Sequence, residues 1–187
     1  MDAVFSIDGV RRLNWGCGDS GEAGWINSDL KDGPGIQITA DIRDGLPLAT
    51  DSLDYIVSIH ALPMIPLPTI GDILRELRRM LKPGAVLRLG LPDLDRSIQA
   101  YLRRDRGYFL VPDTHIESYG GQFVSHILWY GYTVTLFTPD FIEELLWKAG
   151  FSQVVHCSFK QTHSSLAPGI LELDNRERES LFVEAVK

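Results

Sequence analysis

Leu13-Asn14-Trp15-Gly16-Cys17-Gly18-Asp19-Ser20-Gly21 and, a few residues on, Trp25-Ile26-Asn27-Ser28-Asp29-Leu30 decide how this chain is read. Residues 10–15 are strand-like and run into a turn at Gly16-Cys17-Gly18. Residues 16–21 spell G-x-G-x-x-G, a string in which glycine lets the backbone approach a ligand closely and leaves its N–H groups exposed. A dinucleotide fingerprint also needs a helix that opens at the glycines and an acid about 20 residues further on. Only six residues separate Gly18 from Trp25, so that helix has no room. A crossover between parallel strands normally takes about 10–12 residues including its helix, so the first helix here is shortened to a single turn or absent. The same glycines also suit an ordinary tight turn.

Outward from this stretch, residues 25–30 and 36–42 read as strands two and three, separated by Asp32-Gly33-Pro34-Gly35. Residues 54–62 are almost continuously apolar, as in a strand buried on both faces of a parallel sheet. Ile70, Ile73, Leu74, Leu77 and Leu81 recur at helical spacing, and Lys82-Pro83-Gly84 stops that helix. Residues 85–91 form a fifth strand and 93–104 a helix, which is enough alternation to argue an α/β fold. Residues 107–137 break the rhythm: Tyr108, Phe109, Tyr119, Phe123, Trp129, Tyr130, Tyr132 and Phe137 lie in an irregular stretch that reads as an insertion or lid. Those aromatics suit either ordinary core or the wall of an acceptor pocket. Thr138 as N-cap, Pro139 in the first turn and Gly150 as terminator mark a further helix. Residues 154–159 and 181–186 close the sheet, whereas 162–180 carry no periodic signal. The first residues of the chain are expected to cover the face left open by the short first connection.

The chain's 187 residues suit one domain, 1–187, with 44% hydrophobic and 23% charged residues typical of a globular protein. Twenty-five acids against 18 bases give a net charge of −7, which argues against a nucleic-acid substrate. Apolar runs are cut by Asp, Arg or Pro well before the ~20 residues a membrane span needs. Two cysteines and an N-terminus lacking a basic start and apolar core lead us to expect a reducing, cytoplasmic location. Neither Cys17 nor Cys157 has metal-ligand spacing, and no metal site is expected.

Asp29 and Asp41 each end a strand, where a carboxylate can accept two hydroxyl protons of a ribose. The segments Leu13-Asn14-Trp15-Gly16-Cys17-Gly18, Gly24-Trp25-Ile26-Asn27-Ser28-Asp29, Ala40-Asp41-Ile42, Asp51-Ser52-Leu53-Asp54, Leu81-Lys82-Pro83-Gly84 and Leu91-Pro92-Asp93-Leu94 follow in one register. With Ala149-Gly150-Phe151 and the ending 180–187, the sequence resembles class I S-adenosylmethionine-dependent methyltransferases. More narrowly it is similar to the small methyltransferase-11-type proteins often associated with surface-polysaccharide genes. The resemblance implies a single Rossmann-like sheet of seven mostly parallel strands with a final antiparallel strand. It also implies S-adenosylmethionine as cofactor, with Gly16 and Gly18 beside its methionine part, Asp29 on the ribose hydroxyls, and Asn14 and Cys17 among the cofactor-binding residues, Cys17 also reading as a small packing residue. Asp41 and the backbone of Ile42 would meet the adenine edge, and Ser58-Ile59-His60 the pocket floor. Where the family commonly continues with a Glu-His pair, this chain has Pro63-Met64.

The function implied is methyl transfer to O or N of a small acceptor, a sugar or sugar-nucleotide among the candidates, with His60 as the residue for proton transfer. A lone histidine at a strand end also reads as a structural residue, and strand-end aspartates as solvated ones. A catalytically silent S-adenosylmethionine-binding protein and an NAD(P) oxidoreductase are the competing readings. The sequence leaves the oligomeric state open.

Overall fold

The computed structural model describes residues 9–112, 114–165 and 169–187. The N-terminal lead expected to cover an open sheet face lies largely outside them. Seven strands, β1 (Arg12–Trp15), β2 (Ile26–Asp29), β3 (Ile38–Thr39), β4 (Leu53–Ile59), β5 (Leu81–Pro92), β6 (Gln153–Cys157) and β7 (Ser180–Val186), form one sheet in the order β3-β2-β1-β4-β5-β7-β6. Strands β1 to β5 pair in parallel, and β7 runs antiparallel to both β5 and β6. The helices are α1 (Leu67–Met80), α2 (Leu94–Leu102), α3 (Tyr119–Leu128) and α4 (Pro139–Lys148). The expected seven-stranded α/β sheet is therefore present. Residues 16–25 form turns with no helix, as the short spacing requires.

Alternation along the strands sorts the side chains onto two faces. Leu13, Ile56, Leu87, Leu89 and Val183 join Ile70, Ile73, Leu74 and Leu77 of α1 and Ile142 and Leu146 of α4 in the main core. The opposite residues, Tyr55, Val57 and Val86, form a second cluster with Trp25 and Ile170. Among the described residues no α-helix joins that second cluster. Residues 158–165 and 169–174 lie over it as an irregular strap, anchored by Arg88, which is fully buried in β5. The Arg88 guanidinium donates to both Asp174 oxygens (2.7 and 2.5 Å), to Glu184 Oε1 (2.8 Å) and to the Gln161 carbonyl (3.1 Å). Asp174 also accepts from the Lys160 N–H, and Glu184 from the His163 N–H. One cation thus fixes both ends of a segment that has no periodicity of its own.

Several boundaries differ from the sequence expectation. Strand three shrinks to Ile38–Thr39, because the Asp41 side chain accepts from the Arg43 N–H and starts a 3-10 turn at Ile42–Asp44. Lys82-Pro83-Gly84 does not end an element but lies within β5, where the register jumps from Leu53↔Leu81 to Tyr55↔Val86. A bulge of this kind tolerates proline in a sheet. Thr138 occupies the N-cap of α4, yet its hydroxyl donates to Asp140 instead of capping a backbone N–H. The 107–137 stretch is not a bare loop. Tyr119 and Phe123 stack on Tyr101 of α2, Phe109 meets both of them edge-on and Tyr108 meets His126 edge-on, whereas Tyr130 and Tyr132 stay exposed.

Candidate functional site

Chain order reverses between β1 and β4, one leading outward to β2 and the other to β5. A crevice opens at such a switch point beyond the carboxyl ends of the strands, which is where open α/β sheets bind ligands. Three cavities ring this point. The first, about 780 Å³, is bordered by Gly16, Asp29, Asp41, Ile42, Ala61 and Met64. The second, about 500 Å³, lies on the other side of Gly16 and reaches Asn14, Cys17, Glu22, Ile59 and Asn175. The third, about 560 Å³, shares Met64 with the first and holds His60, Asp93, His126, Trp129, Arg176 and Glu179.

Gly16 carries the close approach that makes this possible. Its φ is +71°, and a Cβ there would fall 2.1 Å from the Ala61 Cβ. Any side chain would wedge the ends of β1 and β4 apart. The Gly16 and Cys17 N–H groups both donate to the Ser28 carbonyl, and the Gly18 N–H donates to Asp29 Oδ2 at 2.8 Å. Asp29 Oδ1 accepts from the Leu30 N–H at 2.7 Å. The Lys31 N–H also reaches Oδ1, at 3.4 Å, so the carboxylate is fixed in orientation and Oδ2, with a single donor, retains a lone pair for a further one. A fixed strand-end carboxylate with Oδ2 open can accept a ribose hydroxyl, so the residues present fit an adenosyl group.

The other expected cofactor residues divide. Asn14 donates to Asn27 Oδ1 at 3.0 Å, so its amide serves to join β1 to β2 even though the residue borders the second cavity. Asp41 borders the first cavity, but both its oxygens are engaged by the Arg43 guanidinium, which holds its carboxyl below the usual range. Ile42 is buried and borders that cavity. Ile59 borders the second cavity, while Ser58 is buried, its hydroxyl without a partner, and borders none of the three. Burial and the nearby Asp29 charge push the Cys17 thiol up, which keeps it protonated. Among the described residues no group of three His, Cys, Asp or Glu side chains could hold a metal ion.

His60 sits in the third cavity with φ +60°, its Nε2 2.7 Å from Ser180 Oγ. Burial, then the positive charge of Arg176 and the proximity of His126, lower its pKa to about 3, so the ring is neutral at ordinary pH. His126 is also lowered by burial. Its Nδ1 accepts from the Leu110 N–H at 3.3 Å, which places the remaining ring proton on Nε2. That nitrogen lies 4.0 Å from Glu179 Oε2. Glu179 Oε1 accepts from Arg176 at 3.0 Å, and the Arg176 guanidinium lies over the Trp129 ring.

Asn175, Arg176 and Glu179 were not legible as site residues. They belong to a polar, aperiodic stretch, and such stretches ordinarily face solvent. The one available signal was Arg88 inside the apolar run Ala85-Val86-Leu87-Arg88-Leu89. A charge there demands buried carboxylate partners from elsewhere in the chain.

A family model for the methyltransferase domain matches residues 22–89. No curated protein sequence matches the chain. Among solved structures, an S-adenosylmethionine-dependent methyltransferase of Archaeoglobus fulgidus superposes with TM-score 0.61 at 12% identity, over 96% of this chain and 87% of that one. One from Thermotoga maritima, described as a possible histamine N-methyltransferase, gives 0.57 at 17% identity over 95% and 82%. One from Mesorhizobium loti gives 0.54 at 18% identity over 95% and 91%. The match of residues 22–89 to the methyltransferase-domain family and the Rossmann-like fold shared with S-adenosylmethionine-dependent methyltransferases together support S-adenosylmethionine as the cofactor.

Proposed function

We propose that the protein methylates a hydroxyl or amine of a small acceptor, a sugar or sugar-nucleotide among the candidates. The observation that carries this reading is the meeting of the three cavities at Gly16 and Met64. It offers adjoining seats for an adenosine, an amino-acid tail and an acceptor. Asp29 receives the ribose hydroxyls, with Oδ2 as the oxygen that keeps a free lone pair. Because Arg43 occupies the Asp41 carboxylate, contact with adenine falls to the Ile42 backbone and the apolar wall of Ala40 and Ile65.

The bound cofactor supplies an electrophilic methyl on a sulfonium. The chain supplies position and a proton acceptor. Orientation alone is worth up to ~7–11 kcal/mol of barrier, against about 10²–10⁴-fold for a general base. With a pKa near 3, His60 orients an acceptor by hydrogen bonding and takes up little proton. His126 presents an N–H, and both Asp93 oxygens are engaged by Arg96. Glu179 Oε2 is left as the oxygen in this cavity suited to receive the acceptor's proton. Trp129 and the α3 region form the outer wall, the role read from the sequence as a lid.

Calorimetry with S-adenosylhomocysteine and a coupled assay of its release test the reading. Asp29→Ala is expected to weaken S-adenosylhomocysteine about 10–150-fold, the worth of hydrogen bonds to a charged group. Glu179→Gln is expected to keep that affinity and lose at least ~100-fold in turnover. The assay is run on sugars, sugar-nucleotides, amines and phenols. Tight binding with no release above the Asp29→Ala blank would favour the silent cofactor-binding protein, for which Pro63-Met64 is the sequence argument.

A further inference from the structure

The second cavity is walled by two stretches far apart in sequence: the turn after β1, which contributes Ser20 and Glu22, and the strap before β7, which contributes Leu173 and Asn175. The side chains of Ser20, Glu22 and Asn175 make no hydrogen bond with the other described residues, whereas Asn14 is spent on Asn27. A carboxylate and neutral donors line this space, and no cationic side chain does. An amino acid carries an ammonium, which seeks a carboxylate, and a carboxylate, which seeks N–H or O–H donors. A helix N-terminus is a common anion seat. Here β1 opens into a turn whose Gly16, Cys17 and Gly18 N–H groups are spent on Ser28 and Asp29, so a carboxylate at this place draws on side-chain donors. Asn175 is well held for that purpose, because its neighbour Asp174 is clamped by Arg88.

We propose that Glu22 and Asn175 hold the amino-acid end of S-adenosylmethionine, Glu22 taking the ammonium and Asn175 donating to the carboxylate, so that the strap forms one wall of the cofactor site. The proposal rests on the first cavity being the adenosine seat. Two probes separate the two statements in calorimetry: S-adenosylhomocysteine, and 5′-methylthioadenosine, which keeps the adenosine and thioether but has no amino-acid end. Asn175→Ala and Glu22→Gln are each expected to weaken S-adenosylhomocysteine about tenfold, the low end for a hydrogen bond to a charged group. Both are expected to leave 5′-methylthioadenosine within about twofold of the wild-type protein. Both residues are exposed, so thermal melts of the variants should match the wild type. Variants that bind S-adenosylhomocysteine as tightly as the wild type, or that lose both probes equally, overturn the proposal. A wild-type protein that binds neither probe overturns the adenosine seat itself.

Discussion

The two faces of the sheet are covered by different means. On one, α1 and α4 lay down a stripe of Ile and Leu side chains, with Ile70, Leu74, Leu77, Ile142 and Leu146 fully buried. On the other, an aperiodic strap is tied down by directional bonds to Arg88, with only a small apolar cluster beneath it. A helix covers a sheet by repetition, and each residue contributes a share of hydrophobic free energy. The strap has no repeating apolar face, so its hold is concentrated in one cation and two carboxylates. That concentration has a functional side: the residues just beyond the clamp, Asn175, Arg176 and Glu179, border two of the three cavities, and the helical face sends no comparable group there.

The sharpest way to break this contrast is Asp174→Ala. Removing one partner of a buried ion pair leaves a charge uncompensated and typically costs about 3–5 kcal/mol. Urea denaturation should show a loss of that size. Hydrogen exchange should show faster opening across 169–179 than across α1. A loss below about 1 kcal/mol would mean that the clamp does not hold the strap.

Leu74→Ala removes a fully buried side chain from the helical face and should cost about 2–5 kcal/mol. The two variants are expected to differ in what they do to the site. Leu74→Ala should leave the S-adenosylhomocysteine affinity of the folded protein unchanged, while Asp174→Ala should weaken it. Equal loss of affinity in both would erase the distinction between cover and functional wall.

A smaller effect concerns pH. The folded-state pKa of His60, about 3, lies below its unfolded value near 6.5, so the unfolded chain binds a proton that the folded one refuses. Stability therefore falls as pH drops from about 6.5 toward 3, and the neutral ring contributes no such slope above that window. His60→Asn, which tolerates the left-handed backbone at this position, should flatten the fall in melting temperature between pH 6.5 and 5. Identical slopes in the two proteins would show that His60 takes up protons freely in the folded state.

Much of this molecule follows from local sequence. The spacing Ile70-Ile73-Leu74-Leu77 makes α1 because side chains three and four apart share a helix face. The nearly continuous apolar run ending at Ile59 makes a central strand because both its faces are covered. The six residues between Gly18 and Trp25 rule out a helix by length alone, and the turn glycines with Asp29 mark the strand ends where the first cavity opens. Tertiary structure alone decided the rest. Asp41 turned out to be engaged by Arg43, Ser58 sits away from the three cavities, and Asn175, Arg176 and Glu179 reached the site from a stretch with no pattern. The physical reason is that periodicity records what a residue does for its own element. The partners of Arg88 lie 86 and 96 residues along the chain, and bonds over that separation exist only once the sheet has brought its strands together.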